Sequence, residues 1–324
     1  MNWGILSTAH INRLFLAGAR ESPEVEILAV ASRVQARADD YARDNGIERA
    51  YGSYEALLAD PDVECVYISL PNSLHIPWTI TALEAGKHVL CEKPLSRRSG
   101  EVERAFDVAE KQQRLLMEAF MYRHNPQTRR LKELVAQDAV GRIRIIRAAF
   151  GFVAHDPDNV RLQGALDGGA LMDVGCYCVS GARLIAGEPE RVAGEQALGG
   201  QGGVDVAFSG IMRFQNDISA HFDAGLALAS QDLLEIVGDE GTLRLTDPWH
   251  CRRPGIDVIR GDGAVERIEI EPANSYRLEA ENMSAAIRGE AELLLGRADA
   301  ISQAKAIEAL YEAADNARVV SLCS

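Results

Sequence analysis

Val89-Leu90-Cys91-Glu92-Lys93-Pro94-Leu95 decides the fold of this chain. Val89 to Cys91 reads as a short buried strand that runs into a charged pair and is stopped by a proline, which has no amide hydrogen to continue a ladder. In an open parallel sheet the carboxyl ends of the strands face the crevice where such folds bind ligands, so Lys93 is placed to meet a cofactor or substrate. Taken alone, the pair could equally cap a strand in water. The flanking segments decide between the two.

Before it stands a strand from Cys65 to Leu70, apolar except for Ser69, which breaks at Pro71-Asn72 and leads to a helix from about Ile76 to Ala85, ended by Gly86. After it come a helix from Gly100 to Gln112, a strand from Leu115 to Ala119 and the segment Phe120 to Pro126. The first thirty residues open the same alternation, with a strand from Trp3 to Leu6, the turn Ser7-Thr8-Ala9 and a helix from about His10 to Arg20. A strand from Val25 to Ser32, a helix near Arg37 to Asn45, a short strand at Ala50-Tyr51 and a helix from Ser53 to Ala59, capped by Ser53, fill the interval. Alternation of strand and helix predicts a doubly wound parallel sheet, an α/β Rossmann domain over residues 1–121.

The first turn is where a dinucleotide-binding chain carries G-x-G-x-x-G. Here those positions are Ser7, Ala9 and Asn12, a degenerate fingerprint. Ser7 and Ala9 are small enough for a pyrophosphate to approach the backbone, Thr8 adds a hydroxyl, and the helix start offers unpaired N–H groups. The second strand ends in Ser32-Arg33, with Arg37 a turn later, where a carboxylate would bind the ribose 2′-hydroxyl of NAD; a hydroxyl and guanidinium groups suit the 2′-phosphate of NADP(H) instead. A plain strand-turn-helix and a solvated arginine are the bland counterparts of these readings.

The second half has a different texture. A helix from about Gln127 to Gln137 ends at Gly141, and a long strand follows from Arg142 to Val153. Strand-like runs recur at Val192–Leu198, Val204–Phe214, Ile218–Asp223, Leu233–Val237, Gly241–Leu245, Ile256–Arg260 and Val265–Ile270. Several alternate with period two, and turns such as Gln215-Asn216-Asp217 and Gly261-Asp262-Gly263 are hairpin-sized. An α+β domain with a large, predominantly antiparallel open sheet is therefore expected over residues 122–324, interrupted by a helix from Gly169 to about Ala186 and followed by helices near Tyr276–Arg288 and Ala298–Asn316, with room for the C-terminal helix to pack back on the first domain.

Composition excludes several classes. Of 324 residues, 47% are hydrophobic and 25% charged, and the formal net charge of -14 opposes binding to nucleic acid. The cysteines Cys65, Cys91, Cys176, Cys178, Cys251 and Cys323 form no CxxC pair, and no basic and apolar leader precedes Trp3, so reduced thiols in a cytoplasm are expected. Seven histidines without metal-ligand spacing give no metal signature, and no apolar run reaches membrane-spanning length. An open sheet leaves a face to cover, so a homodimer or a dimer of dimers is expected.

Three segments together resemble the Gfo/Idh/MocA oxidoreductases: Pro71-Asn72-Ser73-Leu74-His75, Glu92-Lys93-Pro94 and Asp173-Val174-Gly175-Cys176-Tyr177. Met117 to Arg123 and Asp158 to Leu162 look most like the branch of dimeric dihydrodiol dehydrogenases and NADP-dependent D-xylose dehydrogenases. The turn lacks the family's usual glycines, and Tyr177 stands where most members end the third segment in histidine. The resemblance implies a hydride transfer between NADP(H) and a hydroxyl or carbonyl carbon of a sugar or cyclic polyol. It implies cofactor binding by Ser7, Thr8, Ala9, His10, Ile11, Asn12, Ser32, Arg33, Arg37, Leu70, Pro71, Asn72, His75, Glu92, Lys93, Pro94 and Arg123, and catalysis by Lys93, Tyr177 and Asp173. Arg161, His155, Asp173 and Tyr177 would orient the substrate.

The chemistry has its own logic. Asp173 and Tyr177 lie four apart on a helix and share a face, beside an apolar stripe of Leu171, Val174, Cys178 and Ile185, while Gly175 lets something come close. Oxidising an alcohol requires a base at its hydroxyl as hydride leaves, and a phenol with a reference pKa of about 10 serves near neutrality when a cation such as Lys93 favours its phenolate. Which of the two touches the substrate oxygen stays open. The rival class is a catalytically silent NADPH sensor, which has no need of a proton relay.

Overall fold

The computed structural model describes residues 1–322; Cys323 lies outside the described residues, and the other five cysteines are buried free thiols. The chain divides into two compact units, Met1–Met121 with Asn274–Ile301, and Tyr122–Ala273 with Ser302–Ser324.

The first unit is built on strands β1 (Asn2–Leu6), β2 (Glu26–Ala31), β3 (Arg49–Tyr51), β4 (Cys65–Ile68), β5 (His88–Glu92) and β6 (Leu116–Ala119). They form one parallel sheet in the order β3-β2-β1-β4-β5-β6, so the direction of winding reverses between β1 and β4. Every residue of β4 is buried, as its unbroken apolar run requires of a strand covered on both faces. Helices α1 (Asn12–Glu21), α2 (Gln35–Asn45), α3 (Tyr54–Leu58), α4 (His75–Glu84) and α5 (Ser99–Gln112) connect the strands. The Ser53 side chain caps α3 by accepting from the Ala56 amide at 3.1 Å. His10 and Ile11, expected inside the first helix, belong instead to the turn before it.

The second unit contains α6 (Pro126–Ala136), β7 (Ile143–Val153) and α7 (Cys176–Ala186), then β8 (Arg191–Gly199), β9 (Val204–Arg213), β10 (Ser219–Gly225), β11 (Ala227–Gly238), β12 (Gly241–Leu245), β13 (Gly255–Arg260) and β14 (Val265–Glu269). The chain closes with α8 (Ser275–Ile287), α9 (Arg297–Asn316) and β15 (Val320–Ser321). Among the described residues nine strands form one sheet in the order β14-β13-β12-β11-β7-β10-β9-β8-β15. Its neighbours are antiparallel except β7 and β10, which run parallel, so the sheet is mixed rather than purely antiparallel. Ile146, Ala148 and Phe150 of β7 are buried, setting the face on which α7 packs.

Three expectations change in detail. β11 spans twelve residues rather than Leu233–Val237 alone, because Ala227 and Gln231 also pair with β7, with a shift of register between them. The helix expected from Gly169 begins as a π turn at Leu171–Gly175 before continuing as α7. Asn274–Ile301 groups with the first unit, because Gly18 of α1 lets α8 come close: a Cβ there would lie 2.6 Å from the Arg277 amide nitrogen.

Candidate active site

The first unit gathers its candidate groups at the carboxyl ends of β1, β2, β4 and β5. Ser7 follows β1 with φ 132, a conformation that favours glycine, although it carries a side chain. A directional chain of hydrogen bonds holds it there. The Ala9 amide donates to Ser7 Oγ at 3.1 Å, Ser7 and Ser69 hydroxyls meet at 2.8 Å, and Ser69 Oγ donates to Asn12 Oδ1 at 2.5 Å. Asn12 Nδ2 closes the ring by donating to the Ser7 carbonyl at 2.9 Å. Because Ser69 gives its hydrogen to Asn12, Ser7 is the donor between the two hydroxyls, and it shares that hydrogen with the Ser69 carbonyl at 3.1 Å. The Asn12 side chain, expected at a cofactor, is therefore spent inside the fold, where it shapes the turn. Helix α1 has no side-chain N-cap and no acidic residue in its first turn, which leaves its positive end open to an anion.

After β2, Ser32 is buried while Arg33 and Arg37 are exposed. Both arginines bear on the Tyr54 phenol, which burial pushes up and the two guanidinium groups pull back. Two cations that form no ion pair among the described residues fit a phosphate better than a hydroxyl.

The Glu92-Lys93-Pro94 segment is anchored on either side of Lys93. Tyr67 donates to Glu92 Oε1 at 2.5 Å, His75 Nδ1 lies 2.8 Å from the Pro94 carbonyl, and the Leu95 amide donates to Glu118 Oε1 at 2.9 Å. The Lys93–Pro94 bond is cis. His75 is only 1% exposed, and its other nitrogen lies 2.8 Å from the Leu70 carbonyl. Burial pushes its pKa down to about 4 against the pull of these carbonyls, so the neutral ring donates to one of the two. His75, like Asn12, has its side chain committed within the unit; Leu70 is buried, and Thr8, Ala9, Pro71 and Asn72 are half-buried along the same strand ends, with His10 exposed.

The second unit assembles a separate group on the α7 face of its sheet. The Asp205 side chain accepts from the Leu171 amide at 2.6 Å and from the Tyr311 hydroxyl at 2.9 Å, fixing the start of the π turn. That turn carries Asp173, whose Oδ2 is paired with Arg161 Nε at 2.7 Å; the Arg161 guanidinium also lies 5.9 Å from the Phe152 ring. Arg161 and Asp173 were both expected to orient the substrate, and the structure pairs them. Tyr177, one turn further, sits among Tyr122, Phe150 and Trp249 at ring distances of 5.8, 5.4 and 6.0 Å. Tyr122 and Arg123 both reach Ser180 of α7, at 2.7 and 3.3 Å. His155 stands apart on an exposed segment. What Gly175 lets close is the sheet, since a Cβ there would lie 3.1 Å from that of Ala224.

Sequence reasoning missed Asp205, Tyr67 and the pair of His250 and Asp232, whose Nδ1 and Oδ2 lie 3.0 Å apart beside Phe150. None of these has a local pattern to betray it.

Residues 1–120 match the oxidoreductase family with an NAD-binding Rossmann fold, and residues 128–244 match the GFO/IDH/MocA C-terminal domain. The chain is 37% identical to D-xylose 1-dehydrogenase (NADP(+)) 2 of Haloferax volcanii over 99% of its own length and 100% of the relative's. It is 34% identical to trans-1,2-dihydrobenzene-1,2-diol dehydrogenase of Xenopus laevis over 80% and 78% of the two chains. Among solved structures it is similar to the 3-ketoreductase KijD10 of Actinomadura kijaniata in complex with NADP and TDP-benzene, with a TM-score of 0.91, 30% identity and coverage of 97% and 98%.

Proposed function

Because the chain belongs to the Gfo/Idh/MocA oxidoreductases, we propose that it is an NADP-dependent dehydrogenase or reductase acting on a hydroxyl- or carbonyl-bearing carbon of a sugar or cyclic polyol. The observation that carries this reading is the anchoring of Lys93, whose neighbours on both sides are tied to Tyr67, His75 and Glu118. A lysine held so firmly at a strand end is a positioned charge rather than a solvated one.

The residues present fit the nucleotide. The open amino end of α1 and the tight turn at Ser7 suit a pyrophosphate, and Arg33 with Arg37 suit a 2′-phosphate. When bound, the nicotinamide supplies or accepts the hydride. Lys93 contributes a fixed positive charge, and a cation beside a phenol favours its phenolate. Tyr177 is the proton acceptor in oxidation and the donor in reduction, and the aromatic rings around it exclude water from its ring faces. Arg161 holds the Asp173 carboxylate ionised and oriented, so its remaining lone pairs can accept from substrate hydroxyls. The neighbours named D-xylose dehydrogenase and dihydrobenzenediol dehydrogenase support a small polyhydroxylated substrate.

Tyr177→Phe tests the assignment by removing one oxygen while keeping the ring. We expect kcat on an aldose or cyclic diol to fall by about 10²- to 10⁴-fold, with NADPH affinity by fluorescence titration unchanged. A variant that retains most of its activity, with an unshifted pH profile, would make the tyrosine a pocket wall. Wild-type protein that binds NADPH yet turns over no sugar or diol on a broad panel would leave a sensor.

A further inference from the structure

Helix α8 buries Ser275, Glu279, Ala280, Met283 and Ser284, a stripe at helical spacing with a carboxyl group in its middle. Glu279 is 0% exposed, and among the described residues neither of its oxygens has a hydrogen-bond partner. An ionised carboxylate in that position would be desolvated with nothing donating to it, whereas the neutral acid loses far less. The charged group that acts on it is Glu92 of β5, a like charge. Tyr67 of β4 donates to Glu92 at 2.5 Å and lies in the field of both Glu279 and Tyr276. Helix α1 presents Phe15, stacked on Tyr67 at 4.0 Å, and the nearest cation along α8, Arg277, lies 3.9 Å from Glu281. Two carboxyl groups that act on one another in such surroundings hold one negative charge between them. Glu92 already accepts from Tyr67 and is half-buried, so it is the anion, and Glu279 keeps the proton.

We propose that Glu279 is a positioning residue for the Glu92-Lys93-Pro94 segment: a neutral carboxylic acid in the core of the first unit, which leaves Glu92 as the single anion of the pair and preserves the Tyr67–Glu92 anchor beside Lys93. Burial and the Glu92 charge both push the Glu279 carboxyl well above the usual carboxylate range. Such a group adds stability that is complete below the unfolded carboxylate pKa and is lost as the pH rises toward the folded one. Once Glu279 ionises, two anions share the site, and the strain falls on the anchor.

Glu279→Gln keeps the size and neutrality of the acid and removes its titration. In urea denaturation from pH 5 to 9, the ratio of folding constants, variant over wild type, should rise by up to about tenfold per pH unit until Glu279 titrates in the folded state. The infrared carbonyl band of a protonated carboxylic acid, present in wild type at neutral pH, should weaken in the variant. NADPH affinity should fall on the alkaline side more in wild type than in the variant. Parallel stability curves or an unchanged infrared band overturns the proposal. Should the glutamine variant not fold, Glu279→Met takes its place, and failure of both overturns it, since the core must accept a neutral side chain of that size. Only the NADPH arm rests on the proposed function. Wild type that binds no NADPH at any pH sinks that function, while the denaturation and infrared arms still judge Glu279.

Discussion

Ser7 offers a pair of substitutions whose effects should differ in a way the structure dictates. At φ 132 a side chain is strained, by roughly 1–3 kcal/mol for residues in sparsely populated regions. Against this, its hydroxyl is the middle link of the chain from the Ala9 amide to Asn12, with contacts of 3.1 and 2.8 Å. Ser7→Ala keeps the strain and breaks that link, leaving the Ala9 amide and the Ser69 oxygen each short of a partner. A loss of about 2 kcal/mol is expected, within the range of about 1–3 for an unsatisfied buried group. Ser7→Gly breaks the same link but relieves the strain, while glycine costs about 0.5–1 kcal/mol in backbone entropy. The glycine variant should therefore lie within about 1–2 kcal/mol of wild type and above the alanine variant. Urea denaturation followed by circular dichroism measures both, with an unchanged slope showing that only stability has moved. Equal loss in the two variants would mean that the strain at Ser7 is no larger than the entropy cost of glycine, about 0.5–1 kcal/mol. A neutral alanine variant would mean that the hydroxyl chain contributes nothing.

Two further outcomes are expected. Arg33→Ala should raise the KM for NADP by about 10- to 100-fold and barely move that for NAD, since a guanidinium–phosphate bond exists only with the former; equal effects would refute the 2′-phosphate assignment. Acid should destabilise the fold well above the carboxylate range, because burial pushes His75 to about 4, His88 to about 4 and His124 to about 3. Bases with folded values below the unfolded 6.5 add stability that is complete above that pH and is lost on the way down to the folded value. For His75 the difference between 6.5 and about 4, at about 1.4 kcal/mol per tenfold, amounts to about 3–4 kcal/mol. A urea midpoint that stays flat from pH 7 to 4.5 would contradict it, and His75→Gln should flatten the slope.

Much of the first unit was legible in the chain because its signals are local. The unbroken apolar run at β4, the stop at Pro94 and the hydroxyl of Ser53 each act within a few residues of themselves, and the alternation they create admits few topologies. The second unit was read less sharply. Ala227 to Gln231 carry no clear strand pattern, and they enter β11 because β7 offers Ala227 and Gln231 partners in Val153 and Gly151, far away in sequence. The parallel pairing of β7 with β10 is hidden for the same reason.

The sequence by itself determined the order of strands and helices, the residues that carry charge and hydroxyl groups at the strand ends, and the placing of Lys93, Asp173 and Tyr177 on elements able to present them. It did so through side-chain periodicity and turn chemistry, which are properties of neighbours along the chain. Only the tertiary structure decided what those groups face. It joined Arg161 to Asp173, Tyr67 to Glu92, and Ser69 to Asn12, turned the His75 ring inward between two carbonyls, and left the Glu279 carboxyl buried with no hydrogen-bond partner among the described residues. A buried polar group is settled by whichever donor or acceptor folding brings within about 3 Å, and that partner leaves no periodic trace near the residue it satisfies.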